Sequence, residues 1–112
     1  QCLPMIETIK ALNALDEILS VEGVNTIYVG PSDLSTSLGL GPGNHDGEAA
    51  FDEALASIVE TCRRHDVVPG IHANTTLANR RLEQGFKIVT IVEDLGSLNA
   101  GFTSALNEIS GR

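Results

Sequence analysis

The chain has 112 residues, an apolar share of 42% and a formal net charge of −8, which suits one small domain, or part of a larger one, with a real core. That acidity disfavours nucleic acid, whose binding rests on Lys and Arg neutralising phosphates, and disfavours an anionic membrane surface. No apolar run approaches the roughly 18 residues of a membrane span, no secretory signal is visible, and Cys2 and Cys62 lie too far apart for a metal or disulfide motif and read as two reduced core thiols.

The elements follow a regular order. "CLPMI" (2–6) reads as a first strand, with Pro4 the one feature against a central position. The chain opens on Gln1 straight into this strand, so an upstream start is expected. "TIKALNALDEILSVEG" carries Leu12, Leu15, Ile18 and Leu19 on one helical face and stops at Gly23. "TIYVG" (26–30) is the second strand, and the Gly-rich "LGLGPGNHDG" loop leads to a helix for which Asp46 is a candidate cap. There Phe51, Ala54, Leu55, Ile58, Val59 and Cys62 form the cleanest apolar stripe in the chain.

"VVPGIHA" gives the third strand (67–72). "TTLANRRLEQG" is a short helix capped by Thr75 or Thr76 and ended by Gly85, and "KIVTIVE" gives the fourth strand (87–92). Leu98, Phe102, Ala105, Leu106 and Ile109 mark a last helix. The strands are continuous apolar runs, the pattern of strands buried on both faces of a parallel sheet. Four β-α units imply an α/β fold. Two architectures compete: a small doubly wound sheet, or half of an eight-stranded barrel, which takes about 250 residues in full.

Both architectures place function just past the carboxyl ends of the strands. Those positions hold Glu7-Thr8, then "GPSDLS", then "HANTT", then Glu93-Asp94. Glu7 and Asp33 end consecutive strands. If the two strands are neighbours, about 4.8 Å apart, the two carboxylates can reach one hard divalent cation, which often takes only one or two protein carboxylates and keeps sites for water and substrate. The competing reading has Glu7 capping the next helix and Asp33 ordering a turn.

"MIET", followed 26 residues after its Glu by the Asp of "GVNTIYVGPSDLSTSLG", resembles the signature pair of the metal-dependent HpcH/HpaI aldolase family. "LDEILSVEGV", "VPGI" and "A...LEQG" fit as well, and the resemblance covers essentially the whole chain. It implies the last four β-α units of a (β/α)8 barrel whose N-terminal half, with a catalytic histidine and a keto-acid-gripping arginine, lies upstream. On this resemblance Glu7 and Asp33 match the metal ligands, for Mg²⁺ or Mn²⁺ with Co²⁺ as a further candidate. Gly30, Pro31 and Ser32 match the segment whose backbone faces the substrate carboxylate, and Asp33 borders it. Met5 stands where some relatives carry a substrate-contacting glutamine. His72 stands where relatives often have an aliphatic pocket residue, and could reach a polar group on the aldehyde.

The implied activity is a class II aldolase that forms or cleaves 4-hydroxy-2-oxo acids from pyruvate and an aldehyde, in a cytoplasmic homo-oligomer. No catalytic base is expected within this segment, which alone should be inactive. A Schiff-base mechanism is not expected, because Lys10 and Lys87 lie away from the strands' carboxyl ends. The alternatives are a citrate-lyase-like acyl-CoA lyase and a non-catalytic α/β binding module. "GLGPGNHDG" lacks the Gly-Lys-Ser/Thr of a phosphate loop. His45 in that loop reads as solvated, with the loop a possible lid, and His65 suits the end of a helix dipole.

Overall fold

A computed structural model describes residues 2–110. Four strands, β1 (Met5–Ile6), β2 (Thr26–Val29), β3 (Val68–His72) and β4 (Ile88–Thr90), form one parallel sheet in the order β1-β2-β3-β4. Six helices accompany them: α1 (Ile9–Asn13), α2 (Leu15–Leu19), α3 (Pro31–Ser37), α4 (Ala49–Arg64), α5 (Ala78–Glu83) and α6 (Asp94–Ser110).

The strand order decides between the two architectures. A doubly wound sheet reverses direction at a switch point, so its spatial order departs from its sequence order. Here each strand pairs with the next, and the helices cover one face only. Ile6, Ile27, Val29 and Ile71 project to that face and pack with Leu15, Leu19, Leu34, Phe51, Leu55 and Ile58. This is a sector of a (β/α)8 barrel. The opposite face, which lines the interior of a closed barrel, is open: Met5 is 51% exposed, and Val68 and Ile88 are exposed as well. The expectation of strands buried on both faces therefore holds for one face only, because the helices leave the other uncovered.

Several boundaries differ from the sequence reading. The first strand shrinks from 2–6 to Met5–Ile6; Pro4 has no N–H to give the ladder, although its carbonyl accepts from Tyr28 N–H at 2.9 Å. The fourth stops at Thr90 rather than reaching 92. The first long helix is two short ones that meet at Ala14. Helix α3, between the second strand and the Gly-rich loop, is an element the sequence reading does not include. Pro31 occupies its first turn, where a missing N–H costs nothing, and Leu34 and Ser35 bury its inner side. Helix α4 is capped at Glu48, not Asp46; Gly85 follows the end of α5 with φ of 106°, whereas α2 already stops at Leu19 with Ser20 as its C-cap, and Gly23, with φ of 89°, lies in the turn beyond it. Cys62 is buried but Cys2 is exposed, so only one of the two thiols is a core group.

Candidate active site

Each of the sequence-predicted site residues lies at the carboxyl end of the sheet. Glu7 follows β1 directly, and β1 pairs with β2 through Met5–Tyr28 and Ile6–Val29. Helix capping does not occupy Glu7: Thr8 caps α1, its Oγ1 accepting from Ala11 N–H at 3.1 Å. The Glu7 carboxylate instead lies against Gly30. A Cβ built on Gly30 would stand 2.9 Å from Glu7 Oε2 and 3.3 Å from Met5 Cε. Glycine here is a matter of close approach rather than of backbone conformation, since φ is an ordinary −93°.

From Gly30 the chain turns directly into α3. Gly30 gives its N–H to Ile6 C=O at 3.3 Å, and the first bond within α3 runs from Leu34 N–H to Gly30 C=O at 2.9 Å. Asp33 is exposed in the first turn. No hydrogen bond or ion pair engages the carboxylate of Glu7 or Asp33 among the described residues. No group of three or more His, Cys, Asp and Glu side chains able to hold a metal ion occurs among them either.

Two cavities meet at His72. A small recess of about 190 Å³ is lined by Met5, Tyr28, Gly30, Pro31, Ser32, Asp33 and His72. A larger one of about 520 Å³ shares Pro31, Ser32 and His72 with it and continues past Asn44, Asn74, Thr75 and Glu93 to α6. Gly30, Pro31, Ser32, Asp33 and His72 are thus brought together around one recess. Glu7 reaches its edge through Gly30. The His72 ring is held from the sheet: Tyr28 Oη lies 3.4 Å from its Nδ1 and is also hydrogen-bonded to Thr90 Oγ1. Sequence reasoning missed Tyr28 and Thr90, although their alternation with apolar neighbours in "TIYVG" and "IVTI" marks them as inward-facing polar groups.

The Gly-rich loop that walls the larger cavity is pinned. Ser35 Oγ sits within 3.1 Å of the carbonyls of Ser32, Gly41 and Gly43. His45 is half-buried, with Nε2 3.1 Å from Gly41 O and its ring edge-on to Phe51, which corrects its reading as a solvated residue. Asp46 receives Arg81 Nη1 at 2.8 Å and pairs with Arg80. His65, by contrast, behaves as read: it ends α4 and contacts Asp16 at 2.8 Å.

The HpcH/HpaI aldolase/citrate lyase family model matches residues 1–100. A hydroxypyruvate/pyruvate aldolase of Rhizorhabdus wittichii is 38% identical over 99 residues, 88% of this chain and 39% of that protein. A 4-hydroxy-2-oxo-heptane-1,7-dioate aldolase of Klebsiella pneumoniae is 39% identical over 102 residues, 88% of this chain and 37% of that protein. Among solved structures, an HpcH/HpaI aldolase/citrate lyase family protein from Burkholderia cenocepacia superposes with a TM-score of 0.83 at 26% identity, covering 95% of this chain and 41% of the other. The chain thus spans roughly two fifths of the length of the curated relatives it matches.

Proposed function

The chain belongs to the HpcH/HpaI aldolase/citrate lyase family, and on that premise we propose that it carries the metal-ligating and keto-acid-binding part of an aldolase that joins pyruvate to an aldehyde or cleaves the resulting 4-hydroxy-2-oxo acid. The observation that carries this reading is the pairing of β1 with β2, which sets the Glu7 carboxylate against Gly30, three residues before Asp33. Both acids lack protein partners among the described residues. Two uncommitted carboxylates fit a hard divalent ion such as Mg²⁺ or Mn²⁺, with Co²⁺ as a further candidate, because such ions keep several positions for water and substrate.

When bound, the cation supplies Lewis-acid polarisation of the keto group and stabilises the enolate charge. The chain's own residues do the rest. Glu7 and Asp33 hold the ion. Gly30 allows close approach. In the Gly30–Ser32 segment the Gly30 N–H is committed to the sheet and Pro31 has none, so Ser32 supplies the first N–H free to meet the keto-acid carboxylate. His72 borders the space beyond, where the aldehyde would sit. The proton-transferring base and an anion-gripping arginine are assigned to the remainder of a longer protein. An acyl-CoA lyase is less well supported, since the net charge of −8 argues against a basic CoA surface. Family membership likewise argues against a free-standing binding module.

The test is exchange of the pyruvate methyl protons with solvent deuterium, followed by NMR on the full-length protein with Mn²⁺. Exchange should stop on chelation and fall by at least about 100-fold in Glu7→Gln and Asp33→Asn. Exchange that survives thorough chelation would refute the metal-dependent reading.

A further inference from the structure

On the open face of the sheet, Tyr28, Gly70 and Thr90 form a device centred on His72. Tyr28 pairs with Gly70 across β2 and β3, and Gly70 pairs with Ile88 across β3 and β4. A Cβ at Gly70 would stand 3.0 Å from Tyr28 Cδ2 and 3.0 Å from Ile27 O. The missing side chain is what lets the Tyr28 ring lie across β3 and bring its hydroxyl to Thr90 on β4. That hydroxyl also meets His72 Nδ1. No hydrogen bond holds His72 Nε2 among the described residues, and the ring lies where the small recess and the larger cavity join.

We propose that His72, oriented by Tyr28 and Thr90, is the specificity residue for the second substrate, and that it selects a neutral hydroxyl-bearing aldehyde over one bearing a carboxylate. This inference rests on the aldolase reading above. The Tyr28 hydroxyl has one proton. If it donates to Nδ1, then Nε2 carries a hydrogen and donates to the cavity; if it accepts from Nδ1–H, then Nε2 is bare and accepts. A substrate hydroxyl, both donor and acceptor, satisfies either state. A carboxylate can only accept. The rest of the wall points the same way: Ser32, Asn44, Asn74 and Thr75 are neutral, the one charged lining residue is Glu93, and no Lys or Arg of the described residues lines the cavity. Within this wall a second carboxylate would meet the like charge of Glu93 with no Lys or Arg of the described residues to offset it.

Tyr28 acts through His72 and is a positioning residue. The experiment uses the full-length protein with Mn²⁺ and pyruvate, and compares kcat/KM for glyceraldehyde, for succinic semialdehyde and for the apolar butyraldehyde. Ratios are taken within one preparation, so partial loss of folded enzyme cancels. The wild type should prefer glyceraldehyde. His72→Leu should lower the glyceraldehyde-to-butyraldehyde ratio by about fivefold or more, the worth of one hydrogen bond. Tyr28→Phe and Gly70→Ala should shift it in the same direction, and His72→Gln, which retains a polar group, should restore part of it. A ratio within about twofold of wild type in His72→Leu overturns the proposal, as does a wild-type preference for succinic semialdehyde. If the wild type catalyses no exchange of pyruvate methyl protons, the aldolase reading falls and takes this one with it. Exchange together with an unmoved ratio sinks this inference alone.

Discussion

At position 30 one absent methyl group decides where a carboxylate lies. Gly30→Ala would put a Cβ within 2.9 Å of Glu7 Oε2 at a backbone angle any residue tolerates, so the strain falls on Glu7 rather than on the chain. Mn²⁺ affinity of the full-length protein, read by electron paramagnetic resonance, should drop by about tenfold or more, with the melting temperature little changed; unchanged affinity would separate Glu7 from the metal. Cys62 allows a test by pH. Burial pushes its thiol from the ordinary 9.0 up to about 11. The folded state therefore keeps a proton that the unfolded chain releases, and this contribution to stability is complete below about pH 9 and lost as pH rises through about 11. The denaturation midpoint should fall more steeply over that window in wild type than in Cys62→Ala, and the exposed Cys2 should react with a thiol reagent well before Cys62 does.

Among the elements, the joint between the Gly-rich loop and α5 is the most tightly built. Arg81 is 1% exposed and reaches Asp46, Gln84 and Asn44 at 2.8, 2.7 and 2.5 Å, with its guanidinium 5.9 Å from the Phe51 ring centroid. Arg81→Met would take from Asp46 its buried partner and leave it only Arg80 at 3.3 Å and the Asn44 amide at 3.1 Å, at a cost below the about 3–5 kcal/mol of a fully orphaned buried charge. Arg81→Met with Asp46→Asn should recover part of that in denaturant unfolding, and no recovery would mean that Arg81 acts by packing alone. The sequence disclosed the helix this joint rests on, because the stripe from Phe51 to Cys62 recurs at helical spacing. It also disclosed the strand ends, because Glu7 and Asp33 interrupt apolar runs. It hid α3, whose first turn is written in the residues of a loop, Gly30-Pro31-Ser32. It hid the break at Ala14, where an unbroken apolar period runs across two helices. The Tyr28–Thr90–His72 group was out of reach for another reason: its members lie on three strands, and only the register brings them together.

For the whole molecule the exposed apolar surface governs behaviour. None of α6 is buried, and Leu98, Phe102, Leu106 and Ile109 are each more than half exposed along one stripe. The molecule measures 59 × 31 × 22 Å. Exposed stripes and open sheet edges invite association. The isolated chain should self-associate, and the full-length protein should form a defined homo-oligomer, both read by size-exclusion chromatography with light scattering. Phe102→Glu with Leu106→Glu should reduce the association. A stable 11.8 kDa monomer of the unaltered chain would show that α6 needs no partner. No helix among the described residues is long and apolar enough to cross a membrane, so the α6 stripe is not a spanning segment.

The strand order β1-β2-β3-β4 also bears on how the chain is made. Every ladder joins a strand to the one that precedes it in the sequence. On a ribosome, each newly emerging strand therefore finds its partner already outside the exit tunnel, with the crossover helix between them long enough to have formed first. Assembly can proceed unit by unit from the amino end, without the wait that a switched strand order imposes. Until α6 and whatever covers the open face arrive, the growing edge is always the youngest strand. The interval of greatest exposure to aggregation thus moves along the chain with synthesis.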